Sequence, residues 1–283
     1  MFSSVGALVL VAAFMHAGWN TMLHGSKDRS LSMAWICLSM GTLAAVACCL
    51  LPLPAAASWP YILLSGIIHV AYNLFLVRAY ETGDLGMAYP IARGSSPMLV
   101  ALGAFFLAGE SLTAIHALGV ILVSAGIVGL ALQRGQVTRR GLGNAFLTGA
   151  TIACYTVVDG MGVRLSGGTA TTATMAAASY TAWLFLLFLL TPALHVFRNG
   201  MKSMRLPARE AATYGMGGLV SAGAYGIVIW AMQHGAMGAL SALRETSVLF
   251  AALLGKVFLH ERLGAGRLVS CLVIVLGALA LGT

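Results

Sequence analysis

Three charged residues lie inside otherwise apolar stretches, and they are the strongest candidates for chemistry in this chain. Arg93 interrupts "YPIARGSSPMLVALG", and the pair Arg244–Glu245 interrupts "MGALSALRETSVLFAALLG". A charge at the centre of a membrane helix costs about 2.5–3.5 kcal/mol on insertion scales, so such residues usually face a wet cavity or a partner. We therefore expect the arginines to bind the anionic end of a substrate, with Glu245 tuning Arg244 or receiving a cation. A static ion pair that locks two helices is the competing interpretation.

Two stripes of polar and aromatic side chains recur at helical spacing elsewhere in the chain. They comprise His16, Trp19 and Asn20, and His69, Tyr72 and Asn73. Residues three and four positions apart share one face of a helix. Aromatic faces attract an ammonium group or an apolar side chain, while amides and imidazoles form hydrogen bonds, so both stripes suit an amino acid. A role in packing remains open for each.

The stretch around Arg93 carries two prolines, Pro90 and Pro97, and places Tyr89 and Ser96 on the same helical face as Arg93. Each proline leaves a carbonyl one turn back without its helical donor. In a membrane such groups are tolerated where protein or cavity water satisfies them. The pattern predicts a cavity face that includes Tyr89, with a simple packing kink as the alternative.

Asp159 is the most isolated acidic residue within an apolar stretch. Burial in a medium of low dielectric favours the protonated form of a carboxylate, so we predict Asp159 as a proton carrier, with Glu245 as a second candidate. A pair with Arg164 or a hydrogen bond within a helix is the alternative. Tyr155, Tyr225 and Trp230 are weaker substrate-binding candidates, because aromatic belts at membrane interfaces use the same residue types.

Composition decides which elements hold these residues. Of 283 residues, 59% are hydrophobic and 8% are charged, whereas soluble domains carry about 25% charged residues. The chain is therefore predicted to be an integral membrane protein, and its apolar runs have the length of membrane-spanning helices. The net charge of +8 lies mostly in loops, so no nucleic acid partner is expected. The cysteines do not have the spacing of metal ligands, and the chain has none of the common enzyme motifs. We therefore expect no metal, no cofactor and no enzymatic activity.

Ten apolar helical spans are predicted, which makes the fold an all-α polytopic membrane protein. They cover residues 4–23, 31–51, 60–80, 85–107, 113–132, 142–163, 171–193, 210–232, 237–259 and 265–282. The longest loop, residues 195–210, is basic and amphipathic enough to lie on a membrane surface.

The chain also repeats itself. A shift of 152 residues places Gly66 on Gly218 and Ser95 on Ser247, within an ordered series of matches through two spans. We predict two repeats, residues 1–133 and 141–283, with five spans each. Because five is odd, the copies have opposite orientations, which is the inverted-repeat architecture of secondary transporters.

The basic residues of the loops predict the orientation. The loops after spans one, five, seven and nine are rich in Lys and Arg, and the opposite side has only Arg164. Basic loops stay in the cytoplasm. We therefore predict a multi-pass protein of the bacterial inner membrane with both termini outside.

Three motifs resemble the EamA family of the drug/metabolite transporter superfamily. They are "HAGWN" in span one, "YPIARGSSPMLVALGAFFLAGE" across span four and "ALRETSVLFAALLGKVFLHERL" across span nine. The resemblance implies ten spans in two EamA repeats and export of amino acids, including aromatic ones, or of other small metabolites. It also implies alternating access around a cavity lined by spans one, three, four, six, eight and nine. Many members are expected to have cytoplasmic termini, which conflicts with the loop charges.

The predicted partners are a small-molecule substrate and membrane lipid, and the oligomeric state is open, with a monomer plausible. A transporter of another anionic metabolite, linked to phosphate, phosphonate or sugar, is the first alternative. A channel, a membrane scaffold or a membrane-bound enzyme is a more distant one.

Overall fold

The regular structure in the described part of the chain is helical. The structure, a computed structural model, describes residues 4–24, 26, 28–82, 85–133, 139–167, 172–259 and 264–282. The α-helices are α1 Ser4–His24, α2 Arg29–Leu50, α3 Trp59–Thr82, α4 Leu85–Ala108, α5 Ala114–Leu132, α6 Arg139–Arg164, α7 Ala173–Leu186, α8 Leu190–Asn199, α9 Ala208–Ala231, α10 Met237–Glu245, α11 Ser247–Leu259 and α12 Ala265–Leu281.

These helices form the ten predicted spans, because two spans are each built from two helices. A 3-10 turn, Leu187–Leu189, joins α7 to α8, and a single residue, Thr246, separates α10 from α11. Seven segments between Arg29 and Ala231 are each long and apolar enough to cross a membrane, while Ser4–Asn20 and Ala265–Leu281 are shorter apolar helices among the residues described. The all-helical prediction is confirmed.

The seventh span extends further than its sequence pattern indicated. The predicted loop at 195–210 begins as helix, because α8 continues to Asn199 and ends at Gly200, whose φ of 79° is left-handed. A 3-10 helix, Met201–Met204, follows, and Trp35 Nε1 donates a hydrogen bond of 3.1 Å to the carbonyl of Met204. Glycine adopts positive φ without steric cost, which explains the stop at this residue.

Side-chain caps fix three helix starts. Asp28 accepts a hydrogen bond from the backbone N–H of Leu31 at the start of α2. Thr113 and Thr172 do the same for α5 and α7. Each cap satisfies one of the amide groups that the first turn of a helix leaves without a partner.

The helices pack in pairs across the two predicted repeats. Contacts across the two halves include those of α1 with α9, α3 with α6, α5 with α12, and α2 with α7 and α8. A twofold axis that exchanges the first five spans with the last five converts the α1–α9 contact into the α6–α3 contact, and it preserves the other two. This pattern supports the predicted repeats, although the boundaries 1–133 and 141–283 stay a prediction.

The α5–α12 contact brings two helix backbones together through glycines. A Cβ atom on Gly277 would lie 2.8 Å from the amide nitrogen of Val123 and 2.9 Å from the carbonyl oxygen of Gly119. Because both obstacles are backbone atoms, a side chain could be accommodated only if the helices separated. Small residues allow this close approach in membranes, where van der Waals packing holds helices together.

Replacing Gly277 should therefore weaken the fold. We expect Gly277→Ala to lower the free energy of unfolding by about 1–3 kcal/mol, the usual cost of overpacking. Thermal unfolding of the purified protein in detergent measures the change. Gly143→Ala is the matched control, because nothing lies within 4 Å of its added Cβ atom. The control should be neutral or slightly stabilising, and equal effects of the two changes would contradict the packing argument.

Candidate functional site

The predicted charged residues meet in one buried cluster where α4 contacts α10. Glu245 is the last residue of α10, and its Oε2 accepts a hydrogen bond of 2.7 Å from Arg93 Nη1. Its other oxygen, Oε1, accepts a hydrogen bond of 2.9 Å from Arg244 Nε and lies 2.8 Å from Arg244 Nη2 in an ion pair. Arg93, Arg244 and Glu245 are only 2%, 1% and 0% exposed. One carboxylate therefore joins two guanidinium groups away from solvent.

The pair that crosses between the helices joins positions related by the predicted repeat. Arg93 and Glu245 are 152 residues apart, which is the shift that superimposes the two halves of the sequence. The same position thus carries a cation in one repeat and an anion in the other. An ion pair between equivalent positions lies where the two halves face each other.

The helix that carries Arg244 and Glu245 breaks directly after them, although its sequence predicted one continuous span. The hydroxyl of Thr246 donates to the carbonyl of Leu243 at 2.6 Å, and the amide of Leu249 donates to the carbonyl of Thr246 at 2.8 Å. These contacts, each three residues apart, tighten the turn and end α10 before α11 starts. Discontinuous helices commonly form the binding sites of secondary transporters.

The stripe on α1 contacts the charge cluster through its histidine. Arg93 Nη2 contacts His16 Nε2. Trp19 Nε1 lies 3.1 Å from His16 Nδ1, and Asn20 Nδ2 donates to the carbonyl of His16 at 2.9 Å. Both ring nitrogens of His16 therefore face N–H donors, but a neutral imidazole has one acceptor nitrogen. This corner holds more donors than acceptors, which suits the oxygens of a carboxylate.

The stripe on α3 becomes one side of a buried aromatic cage. His69 stacks on Tyr155 with ring centroids 4.0 Å apart, and lies 4.7 Å from Phe188 and 5.5 Å from Tyr225. Tyr72 completes the group at 5.4 Å from Tyr155. The rings come from α3, α6, α9 and the 3-10 turn of the seventh span. Arg244 is close enough to act electrostatically on Tyr155 and Tyr225, so the cage and the charge cluster are neighbours.

Asp159 lies behind the cage and is held by hydroxyl groups. Tyr180 and Tyr225 donate to its two oxygens at 3.0 and 2.5 Å. Because Tyr225 also packs in the aromatic cage, its hydroxyl connects Asp159 with the cage. The alternative, a pair between Asp159 and Arg164, does not match the structure, in which Arg164 pairs with Glu110.

Arg164 forms a polar clamp at the end of α6. It makes an ion pair with Glu110 at 2.5 Å and donates to the carbonyls of Met232 and Gly235. Glu110 also accepts a hydrogen bond of 2.8 Å from the backbone amide of Met237, the first residue of α10. This clamp ties the segment after α4 to α6 and to the turn between α9 and α10, on the side opposite the predicted cytoplasmic loops.

Two predicted residues lie apart from the cluster, and one lies outside the described side chains. Asn73 donates to Thr191 Oγ1 at 3.0 Å. Trp230 donates to Thr174 and packs on His234 with ring centroids 4.6 Å apart. Tyr89 belongs to α4, but its side chain is not among those that the structure describes.

Sequence reasoning missed several members of the site. Tyr180 and Phe188 were not among the candidates, because a single aromatic residue in an apolar span carries no signal of its own. Tyr155 stood out only weakly in the sequence, although it lies at the centre of the cage. A water-filled cavity around the arginines was also expected, but in this conformation both side chains are enclosed. The negative charge of Glu245 replaces the solvation that water would otherwise provide.

Comparison with known proteins identifies the family. The sequence pattern of the EamA-like transporter family matches residues 139–283, just over half of the chain. The chain belongs to the EamA-like transporter family. It is therefore a multi-pass membrane secondary transporter and not an enzyme, and it carries a small-molecule substrate.

Structural comparison agrees with this fold. One solved crystal structure superimposes with a TM-score of 0.75 at 19% sequence identity, covering 98% of this chain and 94% of that chain. Among curated proteins, none matches the sequence. The similarity shows a shared fold over both halves, including the first half, which the family pattern does not reach.

The charge cluster predicts an asymmetry between its members. Glu245→Gln leaves two buried guanidinium groups without their counter-charge, and we expect a loss of about 3–5 kcal/mol in unfolding free energy. Arg93→Met leaves the neutral pair of Arg244 and Glu245, and should cost clearly less. Thermal or denaturant unfolding in detergent measures both.

The exposed Glu210→Gln is the matched control for Glu245→Gln and should be neutral. The double variant Arg93→Met, Glu245→Gln should be more stable than Glu245→Gln alone, because it has one unpaired cation fewer. Additive effects of the two changes would show that the cluster is not a coupled unit.

Proposed function

We propose that this transporter exports amino acids, or similar carboxylate-bearing metabolites, across the bacterial inner membrane by alternating access. The observation that carries the proposal is the charge of the enclosed cluster. Arg93, Arg244 and Glu245 together hold two positive charges and one negative charge, so a substrate carboxylate would neutralise the group. The donor-rich corner at His16 adds hydrogen-bond donors for its oxygens.

The aromatic cage favours an amino acid over a simple anion as the substrate. The faces of Tyr72, Tyr155 and Tyr225 offer a surface for an apolar or aromatic side chain or for an ammonium group. They lie beside Arg244, so one molecule could place its carboxylate at the arginine and the rest of its structure in the cage. Phosphate-linked metabolites are the second candidates, because guanidinium groups bind phosphate equally well.

The same contacts suggest how the site opens. Arg93 and Glu245 are sealed from both sides, so a substrate reaches them only when α4 separates from α10 on one side. We propose that breaking and remaking the Arg93–Glu245 pair accompanies this exchange. The clamp of Arg164 and Glu110 would close the outer side, with both termini outside as the loop charges predict.

Loss of either arginine should remove transport without unfolding the protein. Arg93→Met and Arg244→Met each leave a neutral pair with Glu245, so the fold should persist while the surplus positive charge is lost. We expect efflux to be at least tenfold slower, because a charge-assisted hydrogen bond to the substrate is lost. Efflux from proteoliposomes over a panel of amino acids and phosphate-linked metabolites measures this and ranks the substrates.

Arg209→Met is the matched control, because Arg209 is exposed at the start of α9 and loses the same charge. Folding is checked by size-exclusion chromatography. Wild-type flux in both cluster variants would remove the arginines from the substrate site.

Asp159 is proposed to couple transport to protons. Asp159→Asn keeps a side chain that can bond to Tyr180 and Tyr225, but it cannot bind and release a proton. We expect the variant to keep exchange of labelled for unlabelled substrate at equal pH while losing transport driven by a pH gradient. Loss of exchange as well would assign Asp159 to substrate binding or to the fold, and unchanged gradient-driven transport would exclude the coupling role.

A further inference from the structure

A second polar cavity lies apart from the charge cluster, between α2, α3 and α8. Its volume is about 240 Å³, much more than the roughly 30 Å³ that one water molecule takes up in the liquid. It opens near the predicted cytoplasmic loops. The lining consists of Ser30, Met33, Val70, Asn73, Leu74, Val77, Arg78, Thr191, Leu194, His195, Arg198 and Asn199.

The cavity has a positive mouth. Arg78 and Arg198 are both exposed on its rim, and its lining, all within the described residues, contains no acidic side chain. Asn73 and Thr191 bond to each other in its wall. Two guanidinium groups beside a concave surface attract carboxylates and phosphates, to which arginine binds in a bidentate manner.

A buried histidine supplies a further donor. His195 is 8% exposed, and its Nδ1 lies 3.1 Å from Ser30 Oγ and 3.5 Å from the amide nitrogen of Asn199. Because an amide nitrogen only donates, Nδ1 is the acceptor of the ring, and Nε2 carries the hydrogen. In the part of the chain that the structure describes, Nε2 is buried and has no hydrogen-bond partner. Such a donor is costly unless a ligand satisfies it.

The polarity of this cavity is not required by the packing of the helices. A larger cavity, of about 480 Å³, lies where α2 meets α7 and α9, and it is lined almost completely by apolar side chains such as Leu43, Ala178 and Ile227. The same helix, α2, therefore borders one basic and one apolar cavity. The arginines and His195 are a specific feature of the first.

We propose that the cavity between α2, α3 and α8 is a second binding site, which takes an oxyanion, either a carboxylate or a phosphate, from a small metabolite or from a lipid headgroup. Arg78 and Arg198 attract and hold the charge, and His195 Nε2, which is almost inaccessible in this conformation, donates to one oxygen when the ligand enters and the ring turns toward it. The apolar residues Leu74, Val77 and Leu194 surround the carbon part of the ligand. The proposal does not depend on transport through the charge cluster.

Binding of glycerol 3-phosphate to the full chain in nanodiscs of phosphatidylcholine tests the site. We expect calorimetry to show saturable binding. Arg198→Gln should weaken the affinity about tenfold, because one charge-assisted hydrogen bond to the ligand is lost. His195→Gln should weaken binding as well. Arg198 is exposed, so its variant remains informative if the buried His195 variant does not fold.

Arg205→Gln is the matched control, because Arg205 is exposed on the same surface but does not line the cavity. The same pair of variants is measured in the Arg244→Met background, which removes phosphate binding at the charge cluster, so the binding that depends on Arg198 should persist there. Non-saturable binding, equal losses in Arg198→Gln and Arg205→Gln, or disappearance of the Arg198-dependent binding in the Arg244→Met background would each overturn the proposal.

Nanodiscs that contain phosphatidylglycerol identify the source of the oxyanion. If the site takes a lipid headgroup, the anionic lipid competes and raises the apparent Kd severalfold. If it takes a soluble metabolite, the Kd is unchanged. Either result supports the oxyanion site, and the two results assign it to different ligands.

Discussion

The structure depends on one carboxylate that neutralises two guanidinium groups inside the helix bundle. Charges in a medium of low dielectric must be paired, because their desolvation is expensive. Glu245 meets this requirement only if α4 reaches α10 and if α10 presents its last residue at the contact. The contact of α4 with α10 and the position of α1 against Arg93 both accompany this pairing.

The polar groups around the pair are arranged in layers of different chemistry. Arginines and His16 form a donor-rich corner, tyrosines and His69 form an aromatic wall, and Asp159 lies beyond the wall among hydroxyl groups. A molecule with a carboxylate at one end and an apolar or cationic group at the other matches this order. The layers come from seven of the ten spans, so only the folded bundle brings them together.

The sequence allowed the ten spans and the three central charges to be predicted for simple reasons. Charged residues are too few to cover a soluble surface, and a buried charge requires a partner, which directs attention to Arg93, Arg244 and Glu245. The break at Thr246 was not predictable, because the hydroxyl and backbone contacts of a turn are also compatible with a continuous helix. Tyr180 and Phe188 were missed since their role arises from neighbours more than 20 residues away. Trp230 shows the opposite case, in which a conspicuous residue lies apart from the cluster.

The repeat adds a constraint that neither half has alone. If two equivalent positions carried the same charge, they would repel each other where the halves meet, so this contact favours unlike residues. Arg93 and Glu245 satisfy that requirement with opposite charges, and Arg244, which has no charged counterpart at the equivalent Ala92, adds the surplus. The pair holds the halves together, while the extra arginine makes the centre positive. Loss of Arg244 would thus remove the surplus charge while the pair between Arg93 and Glu245 is retained.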